Sequence, residues 1–332
     1  MKGVNILKDN DPNIVLIGGG TGLSYVLKGL KKYPVNITAI ITVSDNGGSS
    51  GEIRSMIQMV PPGDIRKVMV ALSEAEPLLN QLLDYRFTDD NTLFANHTVG
   101  NIILTALYYI NDGDYIKAIK QLSKVLNVRG KVLPVATQPV TLVAKMSDGS
   151  IVVGEQEIRA DRSTIEEITL LEKDRVSTTE EVLEAIEEAN LIVFGPGSLY
   201  TSIIPNLLIP QVKEAILDSK AEKLYVCNVM TEPGETDGMM VSDHIQTLEK
   251  YLAPGVIDAI LANDDYQVAD DVMAIYEKTG AELVKVDLDQ VARLGKELIT
   301  SRFIYVNEKT HSRHNSIKIA AYIGMKLLEE FK

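Results

Sequence analysis

The chain has 332 residues, of which 45% are hydrophobic and 24% are charged, proportions that are typical of soluble globular proteins. Its net charge of −13 and its pI near 4.9 disfavour nucleic acid and anionic membranes as partners, because the global field repels them. No apolar run approaches the length of a membrane span, and the N-terminus is too short and polar for a signal peptide. We therefore expect a cytoplasmic protein without membrane insertion.

The first predicted elements follow βαβ order. The apolar run 14–17 predicts a strand, a helical pattern opens at Leu23, and residues 36–43 predict a second strand. We expect an α/β fold with a Rossmann-like, doubly wound, mainly parallel sheet, whose N-terminal βαβ unit covers residues 13–60.

A helical insertion is predicted over residues 61–128. The segments 65–73, 75–85 and 99–109 each carry apolar residues three and four positions apart, which is typical of helices that cover a sheet. Residues 130–172 change character, and we predict a small antiparallel β subdomain there.

The subdomain is indicated by three strand-like runs, 132–135, 140–144 and 151–153, and by a hairpin signal at 147–150. Doubly wound order resumes in the C-terminal half, 178–332. The elements predicted there are helices 178–189, 211–217, 243–251, 269–277 and 315–331, and strands 191–194, 223–226, 256–261 and 303–306.

A glycine-dense turn follows the first predicted strand. It consists of Gly18, Gly19, Gly20, Thr21 and Gly22. Such a turn at a helix start seats phosphate, because free N–H groups and the positive end of the helix dipole face the ligand. Leu23 stands where the dinucleotide fingerprint needs its third glycine, and no P-loop lysine follows. The alternative is a tight βα turn without a ligand.

A second polar loop follows the second predicted strand. Its candidate phosphate-binding residues are Ser44, Asp45, Asn46, Gly47, Gly48 and Ser49. Asp45 is suited to holding Mg²⁺ through water or to binding a ribose hydroxyl, and it is our candidate metal ligand. The alternative is a flexible Gly/Ser loop.

Two further helix starts carry candidate phosphate ligands. We predict Asp64 as an N-cap, and Arg66 in the first turn as a phosphate ligand, because the helix dipole opposes a cation that faces only solvent. Asn96 and His97 begin another helix, with Asn96 and Thr98 as candidate caps. A zinc site at His311 and His314 is improbable, since they lack a local Cys or carboxylate partner.

Other candidates come after the later predicted strands. The second proposed anion seat comprises Gly195, Pro196, Gly197, Ser198, Tyr200 and Ser202. Sugar or base contacts are predicted for Asn228, Thr231, Asp264 and Tyr266, which follow predicted strands, and for Arg302, which lies just before the last predicted strand. Cys227, the single cysteine, is expected to be a buried small hydrophobe rather than a reactive thiol.

These motifs together closely resemble the gluconeogenesis-factor (YvcK-type) branch of the CofD-like proteins. They are GGGTG at 18–22, SDNGGSSG at 44–51, PGDIR at 62–66, NHTVGN at 96–101 and GPGSLYTS at 195–202. The resemblance runs from about residue 13 to the end of the chain. It implies one CofD-like α/β domain and a cytoplasmic protein that binds a nucleotide sugar such as UDP-N-acetylglucosamine. It also implies a role in cell shape and envelope growth on gluconeogenic carbon sources.

The enzymatic relatives are 2-phospho-L-lactate transferases, which use Mg²⁺ and a nucleotide-diphosphate donor. They carry paired acidic residues where this chain has Asp45 followed by Asn46, and the loss of one carboxylate weakens the case for a metal-assisted transferase. We therefore expect a regulatory binding protein, with the transferase as the alternative and with catalytic residues unassigned. We expect a UDP-sugar or a dinucleotide as the ligand, and we leave Mg²⁺ open. A homo-oligomer and a protein partner in carbon or wall-precursor metabolism are also expected.

Overall fold

The computed structural model describes residues 11–88, 93–267, 273, 276, 278–304 and 315–330. Within them, a seven-stranded sheet has the order β10-β9-β8-β7-β1-β2-β3, and every neighbouring pair is parallel. Its strands are β1 (Asn13–Gly18), β2 (Asn36–Ile41), β3 (Lys131–Pro134), β7 (Leu191–Phe194), β8 (Glu222–Val226), β9 (Ala259–Asn263) and β10 (Glu297–Ser301). The predicted doubly wound α/β class is confirmed.

The strand order reverses at β1. From β1 the chain adds β2 and β3 on one side, and it then returns to the other side to add β7 to β10. In such sheets the connections diverge at the switch point and leave a crevice beyond the carboxyl ends of the two central strands. Here that crevice lies between the loops after β1 and β7.

Helices cover the central strands. The N-terminal ones are α1 (Gly20–Leu30), α2 (Gly48–Ile57), α3 (Pro62–Leu72), α4 (Pro77–Asp84), α5 (Val99–Ile110) and α6 (Tyr115–Val125). The helical insertion predicted over residues 61–128 is therefore present, and it contains one helix, α6, that was not predicted. Helix α1 packs against α3 and against the helix Ser316–Glu330.

The small antiparallel sheet is shorter than predicted. It has the order β5-β4-β6, with β4 (Leu142–Met146), β5 (Ile151–Val153) and β6 (Ile165–Leu170). Helix α7 (Glu155–Ala160) lies between β5 and β6 in the chain. The predicted hairpin at 147–150 is present. The assignment of 132–135 to this subdomain was wrong, because β3 pairs in parallel with β2 and completes one edge of the main sheet.

The C-terminal half alternates as predicted. Its helices are α8 (Glu180–Glu187), a π-helical turn (Leu199–Ile203), α9 (Ile204–Leu207), α10 (Pro210–Asp218), α11 (Val241–Tyr251), Leu288–Arg293 and Ser316–Glu330. Within the described residues, every helix is too short or too polar to span a bilayer. Cys227 is 2% exposed, and burial raises the pKa of its thiol to about 12, as expected of an unreactive core residue.

Two predicted strands near the C-terminus were misplaced. The predicted strand 256–261 is β9, which begins three residues later, at Ala259, although the Asp258 N–H before it already donates to the Lys223 carbonyl of β8 at 2.9 Å. The last strand is β10 rather than 303–306: Phe303 and Ile304 lie outside any strand, and their N–H groups donate to Asn263 Oδ1. Residues 305 and 306, most of the predicted helix 269–277, and both His311 and His314 lie outside the described residues.

The glycine turn after β1 is packed against other parts of the backbone. A Cβ atom at Gly20 would lie 2.4 Å from the Cα of Asp64, and one at Gly22 would lie 2.0 Å from the carbonyl oxygen of Pro196. Both glycines are therefore required by the approach of α1 to α3 and to the loop after β7. Part of the glycine signal thus has a structural cause that is independent of any ligand.

We expect Gly22→Ala to lower the free energy of unfolding by at least ~1–3 kcal/mol, because a methyl group would displace the Pro196 carbonyl. Gly18→Ala is the matched control in the same turn, since its Cβ would meet only the Leu23 side chain at 3.4 Å. Urea denaturation followed by circular dichroism measures both variants. Equal stability of the two would contradict the packing argument.

Candidate functional site

The loops after β1, β2, β7 and β8 meet at the crevice. A Cβ at Gly19 would lie 2.8 Å from Ser202 Oγ and 3.3 Å from Asp64 Oδ2, and Asn228 Nδ2 donates to the Gly197 carbonyl at 3.0 Å. These contacts join most of the predicted anion-binding segments around one space. The structure thus brings together motifs that are separated by up to about 200 residues in the sequence.

Two helices begin at this crevice without a side-chain cap. They are α1, with Gly19 at its N-cap, and α2, with Gly47 at its N-cap. By contrast, Thr98 caps α5 and Ser198 caps the π-helical turn. Uncapped N–H groups and the positive dipole ends of α1 and α2 form a site for an anion.

Asp45 lies at the N-terminal end of α2. Its Oδ1 accepts a hydrogen bond from the Gly47 N–H at 2.9 Å. Burial raises the pKa of the Asp45 carboxyl, and repulsion from Asp64 raises it further. A hydrogen bond from Ser50 to Asp45 partly opposes both effects on the pKa. The Ser50 hydroxyl also accepts the Gly63 N–H at 3.1 Å, and this contact connects α2 to α3.

Asp64 has a different local role from the one predicted. Helix α3 begins at Pro62 with Pro61 at its N-cap, so Asp64 lies inside the first turn and is not the cap. The Pro-Pro-Gly segment moves the helix start two residues upstream of the aspartate, because proline is well suited to the first helical position. Asp64 pairs instead with Lys67 at 2.9 Å, and Lys67 also donates to Thr21 Oγ1 at 2.9 Å.

Glu155, on α7 of the small β subdomain, is a site residue that the sequence did not indicate. Ser44 Oγ donates to Glu155 Oε2 at 3.3 Å, so the subdomain reaches the loop after β2. Burial raises the pKa of Glu155 to about 8, and the charges of Asp45 and Asp64 contribute to that rise. Glu155 follows Gly154, which has a φ of 106° in the structure, but the residue types around it carry no recognisable site motif.

The loop after β2 holds α7 in place. Asn46 Oδ1 accepts the Gln156 N–H at 2.9 Å and thereby caps α7 from outside, while Asn46 Nδ2 donates to Glu157 at 2.7 Å. Arg54 donates to the Ser44 carbonyl at 3.1 Å and to Thr141 Oγ1 at 2.8 Å. These bonds fix the loop that carries Asp45 against the small sheet.

Glu235 is a second carboxylate that was not among the predicted site residues. It accepts hydrogen bonds from the Ser198 and Thr201 hydroxyls and is 2% exposed. Burial raises the pKa of Glu235 to about 7, with a further contribution from Glu232. The guanidinium of Arg159 lies 3.9 Å from both Glu155 and Glu235.

Arg66 points away from the crevice. It is 5% exposed and forms an ion pair with Asp84, so the anion that it faces belongs to the chain itself. Its Nε donates to Asn101 Oδ1 at 3.2 Å, and Asn101 Nδ2 donates to Ser49 Oγ at 2.9 Å. Arg66 is thus positioned to hold α3, α4 and α5 together.

His97 continues this network. Its Nδ1 lies 3.0 Å from Ser49 Oγ, and its Nε2 lies 3.2 Å from Glu52. The Ser49 hydroxyl thus accepts from Asn101 and is also hydrogen-bonded to the His97 ring. Of the two predicted caps of α5, only Thr98 performs that role; Asn96 has a φ of 63° and donates its N–H to Phe87 O.

The remaining candidates lie farther along the sheet edge. Tyr266 is 45% exposed, and its hydroxyl accepts the Val286 N–H at 2.9 Å. Arg302 pairs with Asp265 at 2.8 Å and follows the last strand, whereas we had predicted it to precede that strand. Thr231 Oγ1 accepts the Glu282 N–H at 2.9 Å. Asp264 and Tyr266 follow β9, three strands from β1, and Arg302 follows β10, four strands from β1.

Tyr200 lies near the crevice but is 5% exposed, and burial raises the pKa of its phenol while Thr247 hydrogen-bonds to it. It is therefore positioned to support the π-helical turn.

Three carboxylates near the crevice provide part of a binding site for a hard divalent cation. Asp45, Asp64 and Glu155 repel one another, and a bound cation would relieve that repulsion. Across the described residues, however, no three acidic, His or Cys side chains converge at coordinating distance. A Mg²⁺ ion at this site would therefore take one or two carboxylates and complete its shell with water and ligand phosphate, as Mg²⁺ commonly does.

Comparison with known proteins gives consistent matches over almost the whole chain. The profile of the family described as 2-phospho-L-lactate transferase CofD matches residues 14–304. The gluconeogenesis factor of Halalkalibacterium halodurans is 47% identical over 311 residues, which cover 94% of this chain and 95% of that protein. The gluconeogenesis factor of Bacillus subtilis is 44% identical over 320 residues, which cover 96% and 99%.

Among solved structures, a UPF0052 family protein from Bacillus halodurans matches with a TM-score of 0.89 and 46% identity, covering 94% of this chain and 98% of that one. The resemblance predicted from the five motifs is confirmed.

Glu155 makes stability depend on pH. The folded chain retains the Glu155 proton up to about pH 8, whereas the unfolded chain releases it near pH 4.5, so the free energy of unfolding falls as pH rises between these values. We expect Glu155→Gln to raise the melting temperature relative to the wild type by at least ~2 °C at pH 8 and by little at pH 4.5.

Calorimetric melting across this pH range measures the difference. The exposed Glu187 on α8 provides the control, and Glu187→Gln should show no such trend. A constant offset between Glu155→Gln and the wild type at all pH values would contradict the assignment.

Proposed function

Because the chain belongs to the 2-phospho-L-lactate transferase CofD family, we propose that it binds a nucleotide sugar of the UDP-N-acetylglucosamine type in the crevice between β1 and β7. The observation that carries this proposal is that two uncapped helix N-termini, those of α1 after β1 and of α2 after the neighbouring β2, lie at the carboxyl edge of the sheet beside the topological switch point. A diphosphate is the part of such a ligand that those N–H groups recognise.

The breadth of the sheet edge supports an extended ligand. Parallel strands lie ~4.8 Å apart, so the loop after β9 is ~14 Å from the loop after β1. That span suits a nucleoside or sugar that continues from a diphosphate seated at α1. Tyr266, half exposed in the loop after β9, offers an aromatic face to one end of it.

The carboxylates at the crevice set a condition on binding. A diphosphate entering beside Asp45 and Asp64 meets two negative charges, so its affinity depends on a compensating cation or on protonation. A Mg²⁺ ion held by Asp45 and Asp64 would neutralise the phosphate oxygens, and Lys67 adds a positive charge next to Thr21. Divalent cation should therefore strengthen nucleotide-sugar binding.

Regulation, rather than catalysis, is the biological role that we propose. The relatives that match over nearly their whole length are gluconeogenesis factors. We propose that this chain is cytoplasmic, that it acts in cell shape and envelope growth on gluconeogenic carbon sources, and that the ligand-bound form signals to a protein of carbon or wall-precursor metabolism.

Isothermal titration calorimetry with UDP-N-acetylglucosamine tests the site. We expect Tyr266→Ala to weaken binding by ~5- to 150-fold, the usual loss when a base loses its aromatic stacking partner. Tyr266→Phe is the matched control: it keeps the ring, removes only the hydroxyl that accepts Val286 N–H, and should bind within about two-fold of the wild type by the same stacking argument. No measurable binding by the wild-type protein, with or without Mg²⁺, would refute the proposal.

A second candidate function is phospholactate transfer, and a specific observation favours it. Asp64 lies close enough to Asp45 to raise the pKa of Asp45, and Asp45 lies close enough to Glu155 to raise the pKa of Glu155. The carboxylate that the sequence lacks beside Asp45 therefore has spatial substitutes. In this alternative Asp45 and Asp64 would hold Mg²⁺, which would stabilise charge on the transferred phosphoryl group.

The alternative is tested by incubating purified protein with a nucleotide-linked phospholactate, a deazaflavin acceptor and Mg²⁺, and by following product with phosphorus NMR. We expect no turnover. Product formed by the wild type and lost in Asp45→Asn would establish the transferase instead.

A further inference from the structure

Arg159, on α7 of the small β subdomain, carries a half-exposed guanidinium group between two buried carboxylates. Its side chain is 56% exposed, its Nη1 lies 3.9 Å from Glu155 Oε1, and its Nε lies 3.9 Å from Glu235 Oε1. Hydrogen-bonded arginine–carboxylate pairs have nitrogen–oxygen distances of ~2.7–2.9 Å. Within the part of the chain that the structure describes, Arg159 is therefore attracted by both carboxylates but hydrogen-bonded to neither.

The two carboxylates neutralise Arg159 only in part. Burial raises the pKa of Glu155 and of Glu235 well above the usual value for glutamate. Near neutral pH each carboxyl group therefore holds a proton for part of the time, and in that form it carries no charge to offset the guanidinium. Arg159 thus keeps an attraction for another anion.

Four other cations on the α1–α3 side or along the carboxyl edge of the sheet have closer acceptors within the chain. Each of them has a side-chain acceptor at 2.9 Å or less, whereas the carboxylates nearest to Arg159 are 3.9 Å away. The four are Arg54, Arg66, Lys67 and Arg302. Among these described cations, Arg159 is therefore the best placed to bind a ligand without breaking a close contact.

The partners of Arg159 place it over the glycine turn. Glu155 accepts a hydrogen bond from Ser44 in the loop after β2, and Glu235 accepts one from Ser198 in the loop after β7. In the sheet, β1 lies between β2 and β7. A group between Glu155 and Glu235 therefore lies beyond the carboxyl end of β1, where the turn 18–22 leads into the uncapped start of α1.

Helix α7 fixes the backbone that carries this side chain. Ile158 is completely buried, and Asn46 accepts the Gln156 N–H and donates to Glu157. The exposed side chain of Arg159 is not restrained in this way. A change of its rotamer redirects the N–H groups without any movement of the backbone.

We propose that Arg159 is a ligand-binding residue of the crevice and that its guanidinium donates paired hydrogen bonds to the diphosphate of the nucleotide sugar. This inference rests on the proposed function. The planar guanidinium matches two phosphate oxygens at once, which an ammonium group does not. The diphosphate is then held by backbone N–H groups of the main α/β layer and by a side chain of the small subdomain, which gives that subdomain a direct part in binding.

Isothermal titration calorimetry with UDP-N-acetylglucosamine and with UDP tests this role. We expect Arg159→Gln to weaken the binding of both ligands at least ~10-fold, the usual loss when hydrogen bonds to a charged group are removed. The two losses should be similar, because both ligands carry the diphosphate. Arg159→Lys keeps the charge but not the planar fork, and its affinity should lie between those of the wild type and Arg159→Gln.

Arg293→Gln is the matched control for the change in charge. Arg293 is exposed at the end of the helix Leu288–Arg293, just before β10 begins, and so lies at the opposite edge of the sheet from the crevice. This variant should bind within about two-fold of the wild type, because salt screens exposed charges at such a distance.

Arginine modification by phenylglyoxal gives a readout on the wild-type protein that does not depend on a variant folding. We expect saturating UDP-N-acetylglucosamine to suppress modification of Arg159 and to leave modification of Arg293 unchanged, as measured by mass spectrometry of the peptides. Equal modification of Arg159 with and without the ligand would overturn the proposal.

The titrations separate failure of this inference from failure of the proposed function. Wild-type affinity in folded Arg159→Gln, or a loss confined to UDP-N-acetylglucosamine with UDP unaffected, would overturn the role of Arg159 and leave nucleotide-sugar binding intact. A wild-type protein that binds neither ligand would refute the proposed function, and this inference with it.

Discussion

The close approach of α1 to two other backbone segments is the constraint on which the site depends. Gly20 lets α1 meet the first turn of α3, and Gly22 lets it meet the Pro196 carbonyl after β7. Because both contacts are with backbone, they cannot relax by a side-chain rotation. They hold the loops after β1 and β7 and the start of α3 in one arrangement, and so they define the crevice at the switch point.

The electrostatics of the crevice follow from what this arrangement encloses. Uncapped ends of α1 and α2 contribute positive potential, Asp45 and Asp64 contribute negative charge at short range, and Glu155 keeps its proton up to about pH 8 because its pKa is raised. Burial strengthens both, since the effective dielectric constant is lower than in water. In the binding function that we propose, such a site would discriminate between phosphorylated ligands by whether a cation or a proton accompanies their phosphates.

Arg66 connects the crevice to the helical insertion. Its bonds to Asp84 and Asn101 fix α4 and α5, and Asn101 in turn binds Ser49 at the start of α2. A buried guanidinium needs a carboxylate and further acceptors, and this requirement brings three helices to one point. The same residue therefore supports the loop beside Asp45 and the helices of the insertion.

The sequence by itself determined the alternation of strands and helices, the family motifs and the loops after the central strands, because apolar periodicity and glycine-rich turns act over a few residues. Sequence reasoning misassigned β3 and the last strand, because a short apolar run does not indicate which strand it pairs with. Only the tertiary structure decided that Arg66 faces Asp84, that Gly20 and Gly22 pack on backbone, and that Glu155 and Glu235 reach the crevice. These contacts join segments that are remote in the chain, and no local sequence pattern indicates which remote segments come into contact.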